Sequence, residues 1–179
     1  MLESVNNITK FFMKETATPA LKWVKKDNLH LTIKFIGEIS ESKVDQVKHT
    51  ITQSLQHHKT FKIEISGLGI YPHQNNPRVV WLGIINAKPL IQMAQKLDQA
   101  LTPIGIKPEQ RAFSPHLTIA RVRRKTDKTT AIAIGKTLSG YQVDPLGAFT
   151  IDHVVLYQSQ LTPTGPVYSN LHTVPLNQV

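Results

Sequence analysis

The 179-residue sequence contains no cysteine. This absence excludes disulfides, thiolate nucleophiles, zinc ribbons and iron–sulfur clusters. It suits a reducing compartment, and we expect a cytoplasmic protein. No apolar run approaches the roughly 20 residues that a membrane helix needs, since the longest, Val79–Ile85, is only as long as a strand. The first residues have neither a basic region nor an apolar core, so we expect no signal peptide there.

Acidic side chains are also scarce. Twelve Asp and Glu residues stand against 21 Lys and Arg residues, which gives a formal net charge of +9. This balance favours an anionic partner, such as nucleic acid or a phosphate ester. Hydrophobic residues make up 40% of the chain, so a globular core is expected rather than disorder. The length suits one domain, or two small lobes that share a core.

Hydrophobic periodicity predicts an α+β protein, because strands and helices interleave without strict βαβ order. Helices are predicted over residues 2–14, from about 40 to 57, from Pro89 to before Gly105, and over 129–138. Strands are predicted over residues 20–24, 29–36, 61–70, 79–85, 115–121, 149–158 and 167–174, the last two being joined by a turn at 162–166.

One tetrapeptide, His-Leu-Thr-Ile, occurs twice, at residues 30–33 and 116–119. Each copy falls in a predicted strand, and a predicted helix follows the first copy and precedes the second. This internal repeat favours two related lobes, each of which contributes one strand to a common cleft.

Side chains at positions i and i+2 of a strand share one face. His30 and Thr32 therefore point one way, about 7 Å apart along the strand, while the intervening leucine points into the core. His116 and Thr118 repeat this arrangement. If the two strands are neighbours, two imidazoles and two hydroxyls converge on one site.

This set of groups suits phosphodiester hydrolysis. The reaction needs a base for the attacking water and an acid for the leaving oxygen, and an imidazole with an ordinary pKa of about 6.5 serves either role near neutral pH. The threonine hydroxyls can donate to phosphate oxygens. A single strand histidine is more often structural, but two identical His-x-Thr segments are harder to explain that way. A metal site is the weaker alternative, because neither histidine has a carboxylate at i+2 or i+4.

The paired motifs resemble those of the 2H phosphoesterases. Residues 28–38, Asn-Leu-His-Leu-Thr-Ile-Lys-Phe-Ile-Gly-Glu, and 113–121, Phe-Ser-Pro-His-Leu-Thr-Ile-Ala-Arg, are similar to the bacterial and archaeal RNA 2′,3′-cyclic phosphodiesterases, formerly called 2′-5′ RNA ligases. The stretch 159–168 followed by Pro175-Leu176 agrees with that family, and the match runs from about Val5 to Leu176.

The resemblance implies one bilobal domain over residues 1–179, with two pseudo-symmetric lobes of antiparallel sheet and outer helices around a central cleft. It also implies metal-independent hydrolysis of an RNA or nucleotide 2′,3′-cyclic phosphate to a 2′-phosphomonoester, without a cofactor. His30 would then be the proton donor to the leaving 3′ oxygen and His116 the base for water, with Thr32 and Thr118 holding the phosphate. Joining of 2′-5′ RNA ends would be the reverse reaction. We also expect a monomer that does not bind membranes.

The family usually opens with a short apolar strand before the first helix, whereas this sequence opens at the helix. We therefore expect the first strand to be missing, unless the natural chain starts upstream of Met1.

Two cations are candidates for substrate binding. Arg121 matches an arginine common in the family, but strict alternation puts it on the face opposite His116, so it reaches the site only if the strand ends or bulges. Lys34 lies four residues after His30, so in a continuous strand its side chain shares the face of His30. Further basic residues follow the second motif in 123–128, and either contact RNA or form a solvated turn. Tyr71, Phe113 and Tyr168 are candidates for base stacking, or for core and loop packing.

Two other functions fit the same residues. The first is an RNA-binding module that uses the cleft without turnover. The second is a phosphodiesterase for another small cyclic phosphate, for instance on an ADP-ribose derivative.

Overall fold

The computed structural model describes residues 2–162 and 165–178. These residues form four α-helices and seven β-strands. In chain order the elements are α1 (Leu2–Thr16), β1 (Leu21–Trp23), α2 (Glu41–Leu55), β2 (Phe61–Tyr71), β3 (Val79–Ile85), α3 (Lys88–Leu101), β4 (His116–Val122), α4 (Lys128–Ser139), β5 (Ala148–Ile151), β6 (His153–Thr162) and β7 (Gly165–Pro175). Short 3₁₀ turns occupy Lys26–Asn28 and Thr102–Ile104. Among the described helices, none has the length and apolar character that would let it span a membrane.

The described residues divide into two compact units, as expected of a bilobal α+β fold. Unit 1 comprises the residues up to Thr32 together with Ile63–Ala87 and Pro115–Phe149. Unit 2 comprises Ile33–Lys62, Lys88–Ser114 and the residues from Thr150 onward. The chain therefore passes between the units several times.

Unit 1 is built around a five-stranded sheet in the order β1-β4-β3-β2-β5. The pairs β1–β4, β4–β3 and β3–β2 are antiparallel. Helix α1 places apolar side chains at three- and four-residue steps, and α4 adds a second apolar stripe. Both stripes are buried against one face of the sheet, in a core that includes Val5, Phe12, Leu21, Ile65, Val80, Leu82, Leu117, Ile119, Val122, Ile134 and Leu138. The opposite face of the sheet carries the side chains of Trp81, Thr118 and Arg121.

Unit 2 combines α2 and α3 with the antiparallel hairpin β6–β7. The stripe predicted for α3 is confirmed, since Leu90, Met93, Ala94, Leu97 and Leu101 are all buried. These helices share a core with the end of β7 and with the segment that follows the first motif, through Ile33, Ile36 and Ile39.

All four predicted helices are confirmed, and the predicted strand over 79–85 matches β3 residue for residue. The predicted strand over 29–36 is wrong as a regular strand, because its pairing within the described residues is the single bridge between Leu31 and Leu117. The reason is that the segment leaves unit 1 after Thr32. The predicted strand over 149–158 is split at Asp152 into β5 and β6. Residues 163 and 164 of the predicted turn lie outside the described residues.

A glycine in α4 makes a close approach to the loop before β3. A Cβ atom at Gly135 would lie 1.9 Å from the carbonyl oxygen of Gln74. Alanine normally improves a helix by about 1 kcal/mol over glycine, but overpacking against backbone costs about 1–3 kcal/mol. Helix α4 and the loop before β3 can therefore pack this closely because Gly135 has no side chain.

We expect the Gly135→Ala variant to be less stable than the wild type by about 1–2 kcal/mol in urea denaturation, since the clash outweighs the gain in helix propensity. Gly140→Ala is the matched control, because its Cβ would meet the nearest heavy atom at 3.5 Å and should leave stability unchanged or raise it by up to about 1 kcal/mol. A Gly135→Ala variant as stable as Gly140→Ala would contradict this account.

Candidate active site

The two His-Leu-Thr segments lie side by side in unit 1. Leu31 and Leu117 form an antiparallel bridge, which sets His30 opposite Thr118 and Thr32 opposite His116. Both leucines pack into the core of the unit, so the four polar side chains share the other face of the sheet. His30 is exposed, while the other three residues are half-buried. The predicted convergence of two imidazoles and two hydroxyls is therefore present at the level of strand register.

The origin of the two segments differs from the sequence prediction. We expected each lobe to contribute one motif, but all four motif side chains belong to unit 1. The bridge between Leu31 and Leu117 holds the first motif to β4 before the chain enters unit 2. The site is thus assembled on one sheet.

The ring of His30 is oriented by its own turn. Its Nδ1 lies 2.7 Å from the carbonyl oxygen of Asn28. A carbonyl oxygen only accepts hydrogen bonds, so Nδ1 must carry the proton. In the neutral ring the lone pair is then on Nε2.

The ring of His116 lies among aromatic side chains. Its centroid is 5.2 Å from that of Tyr71 and 5.9 Å from that of Trp81. Trp81 pairs directly with Thr118 across β3 and β4. It therefore stands on the face of the sheet that carries His30, Thr32, His116 and Thr118, which we call the motif face. Sequence reasoning did not select Trp81. The available signal was one indole in an otherwise aliphatic strand, on the parity opposite to Val80 and Leu82.

Arg121 reaches the motif face because β4 carries a bulge. Trp81 pairs with Thr118, but the adjacent Val80 pairs with Ala120, so β4 has one extra residue there. Such an insertion reverses the alternation that follows it. Ile119, Ala120 and Val122 are accordingly buried, whereas Arg121 is exposed. The bulge that the sequence analysis required for Arg121 to reach this face is therefore present.

Lys22 is a second cation on this face that sequence reasoning did not select. It lies directly opposite Arg121 in the β1–β4 pairing, and both side chains are exposed. In the basic loop that follows, the guanidinium of Arg123 is engaged, because its Nε donates to the carbonyl oxygen of Pro19 at 2.7 Å.

Lys34 is placed differently from Arg121. It belongs to unit 2, where its ammonium donates to the carboxylate of Asp98 and to the carbonyl oxygen of Lys107. Only 7% of the Lys34 side chain is exposed. Its charge is thus already compensated, which argues against substrate binding, although that role stays a prediction.

Asp98 is the centre of this small network in unit 2. It accepts hydrogen bonds from the Lys34 ammonium and from the backbone N–H of Glu109. The hydrogen bond from Lys34, helped by that of Glu109 and by the lysine charge, holds the pKa of the Asp98 carboxyl below its ordinary value, although partial burial acts in the opposite direction. The network joins the segment after the first motif to α3.

The remaining aromatic candidates fall in unit 2. Tyr168 stands on the β6–β7 hairpin with its ring centroid 5.9 Å from that of Tyr157, and Phe113 is half-buried. Of the three proposed stacking residues, Tyr71 contacts the ring of a motif histidine, His116. Within residues 2–162 and 165–178 there is no cluster of three His, Cys, Asp or Glu side chains suited to a metal ion.

This fold and motif arrangement has known relatives. The family model of the 2′-5′ RNA ligase superfamily matches residues 7–162. The chain therefore belongs to the 2′-5′ RNA ligase superfamily, the family within the 2H phosphoesterases that its motifs indicated.

Individual relatives are similar along most of their length. An RNA 2′,3′-cyclic phosphodiesterase of Methanocaldococcus jannaschii is 33% identical over 166 residues, which cover 93% of this chain and 91% of the relative. One from Methanothermobacter thermautotrophicus is 32% identical over 164 residues, covering 90% and 86%. Among solved structures, E. coli LigT complexed with 3′-AMP superposes with a TM-score of 0.74 at 25% identity, covering 99% of this chain and 94% of that one. TT0787 of Thermus thermophilus superposes with a TM-score of 0.76 at 21% identity, covering 97% and 93%.

We expect Asp98→Asn to lower the free energy of unfolding by about 1–3 kcal/mol at neutral pH, because the nearly buried Lys34 ammonium loses its counter-ion. A carboxyl with a lowered pKa in the folded state stabilises the fold above its unfolded pKa and loses that contribution as the pH falls through its folded pKa. The difference between wild type and variant should therefore shrink in acid, as measured by urea denaturation at a series of pH values.

Asp45→Asn is the control for this variant. Asp45 accepts a hydrogen bond from Lys48 at 3.0 Å on α2, and its side chain is 91% exposed. Its replacement should change stability by less than about 0.5 kcal/mol. Equal effects of the two substitutions at neutral pH would refute a special role for the Lys34–Asp98 pair.

Proposed function

We propose that this protein hydrolyses the 2′,3′-cyclic phosphate at an RNA end or on a nucleotide to a 2′-phosphomonoester, without a metal ion. That it is an enzyme of the cyclic phosphodiesterase class follows from its family and from its curated relatives. The observation that carries the assignment of residues is the Leu31–Leu117 bridge, since it sets an imidazole and a hydroxyl from each motif opposite one another.

In the proposed reaction, His116 takes a proton from the attacking water as the water oxygen bonds to phosphorus. The bond from phosphorus to the 3′ oxygen breaks while His30 donates a proton to that oxygen. The imidazoles finish with exchanged protonation states, which solvent then restores. Each proton transfer typically contributes about 10²–10⁴-fold in rate. With the hydroxyl of a 5′-hydroxyl RNA end as the attacking group in place of water, the same groups would join that end to the 2′ phosphate, and the 3′ oxygen would again leave with a proton from His30.

The surroundings of His30 support its part in this scheme. With Nδ1 donating to the carbonyl oxygen of Asn28, we assign to Nε2 the proton that is transferred. Thr32 and Thr118 each place a hydroxyl opposite an imidazole, where it can donate to a non-bridging phosphate oxygen as charge develops in the transition state. No group in the scheme requires a metal or an organic cofactor.

The cations on the motif face support an RNA substrate. Arg121 and Lys22 stand beside the motif residues of β4, and we assign to them the phosphates of the chain that precedes the cyclic end. An arginine is well suited to bidentate phosphate contacts. A small cyclic phosphate such as an ADP-ribose derivative, or RNA binding without turnover, would use the same face. We expect the protein to act as a monomer in the cytoplasm and away from membranes.

Replacing either His30 or His116 by Ala should lower kcat on a 2′,3′-cyclic mononucleotide at least 100-fold, with the double variant little worse than the weaker single one, because the pair acts as a unit. Formation of the 2′-monoester is followed by ³¹P NMR. The pH–rate profile should be bell-shaped, since one imidazole must be neutral and the other protonated, and EDTA should leave the rate unchanged.

His73→Ala is the matched control, because His73 is an exposed histidine in the loop before β3 and should keep the wild-type rate. Full activity in the His30→Ala, His116→Ala double variant would refute the mechanism. Tight binding of cyclic-ended RNA with no monoester formed by the wild type would favour the binding module instead.

Arg121→Gln should raise KM for a short RNA with a 2′,3′-cyclic end by about tenfold, because a phosphate partner is lost. In a plot of log kcat/KM against log salt concentration, the slope should become less steep by roughly one unit, as expected for the loss of one phosphate contact. Lys10→Gln is the charge-matched control, since Lys10 is exposed on α1, which packs on the other face of the sheet. The same salt dependence in both variants would exclude a phosphate contact by Arg121.

A further inference from the structure

Two aromatic side chains, Tyr71 and Trp81, contact the ring of His116 on the motif face of unit 1. Tyr71 approaches the imidazole edge to face, at 5.2 Å between centroids and 82° between planes. Trp81 approaches it at 5.9 Å and 59°, and the rings of Tyr71 and Trp81 are themselves 5.0 Å apart at 31°. The imidazole is therefore in contact with both members of a packed aromatic pair.

The indole of Trp81 is held by packing rather than by hydrogen bonding. Its Nε1 is buried and has no hydrogen-bond partner among the described residues. The ring lies flat across Gly69, its direct partner in the β2–β3 pairing. A Cβ atom at position 69 would lie 2.1 Å from Cζ2 of the indole and 2.3 Å from Cη2. Gly69 is thus the residue that makes room for the indole in this place.

On the β3 side of β4, the residue directly opposite His116 has no side chain. That residue is Gly83 in β3. On this side of the ring, the imidazole packs against the flanking aromatic pair. Edge-to-face and tilted ring contacts favour particular orientations, and each contributes modestly beyond the area that it buries.

We propose that Gly69, Trp81 and Tyr71 form a positioning device that fixes the ring orientation of His116 for proton transfer. The inference rests on the proposed function, in which His116 exchanges a proton with the attacking water. Such a transfer needs a heavy-atom separation of about 2.6–3.2 Å, and a displacement of about 1 Å can cost roughly 100-fold in rate. Gly69 and Trp81 act through His116 and need no contact with substrate.

Gly69→Ala tests this device without altering any aromatic side chain. The added methyl group must displace the indole, so we expect kcat on a 2′,3′-cyclic mononucleotide to fall about 10- to 100-fold with KM changed less than about threefold. Gly140→Ala is the matched control, since its Cβ has room, and it should keep the wild-type kcat. Equal kcat for the two alanine variants would count against the role of Gly69.

Trp81→Leu removes the indole itself, and we expect a loss of kcat of similar size. If both substitutions act through the same ring, the Gly69→Ala, Trp81→Leu double variant should be no worse than Trp81→Leu alone. Multiplying losses would instead mean that Gly69 acts through the fold, and would overturn the inference. Tyr71→Phe, which keeps the ring, should retain most of the kcat that Tyr71→Leu loses.

A second readout is independent of activity. The ring protons of His116 should show shifts from the neighbouring rings in NMR spectra of the full chain, and those shifts should move in Gly69→Ala and Trp81→Leu but stay in place in Gly140→Ala. His116 signals unchanged in both variants, or a folded Trp81→Leu variant with wild-type kcat, would overturn the proposal. Because the spectra need no turnover, an inactive wild type would refute the proposed function and still leave the orientation of His116 to be tested.

Discussion

The antiparallel bridge between Leu31 and Leu117 is the contact on which the candidate site depends. The first motif has no regular strand to hold it, and the chain enters the other unit one residue after Thr32. Leu117, which is buried in the core of unit 1, and Leu31, which packs partly buried against that core, provide the anchor, since full burial of a leucine side chain is worth about 1.5–3 kcal/mol. The alternation of side chains then turns both histidines and both threonines to the opposite face.

A bulge near the far end of β4 sets the position of Arg121. The extra residue opposite Val80 and Trp81 reverses the alternation, so Arg121 joins the face of Thr118. Without it, the guanidinium would point into the core packed by α1 and α4. The position of the Arg121 charge on the motif face therefore comes from a departure from the regular sheet, whereas the pairing of the motif side chains comes from the regular geometry.

Much of this could be predicted from the sequence, because it follows from periodicity. The helices, strand β3 and the shared face of each His-x-Thr pair all depend on the periodicity of side chains along one element. Lys34 shows where such reasoning stops. Its parity with His30 assumes one continuous strand through residues 29–36, but the segment crosses into unit 2, where Lys34 meets Asp98. Parity carries no information across a point at which the chain changes its packing partner.

The rings of the two histidines are also oriented by contacts of different origin. The ring of His30 is set by the carbonyl oxygen of Asn28, two residues earlier, so its orientation is a local property of the turn. The ring of His116 rests on Tyr71 and Trp81, which come from two other strands and meet it only once the sheet has formed. Identical tetrapeptides are thereby given different surroundings. In the reaction that we propose, the two imidazoles have opposite roles, as acid and as base, and strand pairing gives them these different surroundings.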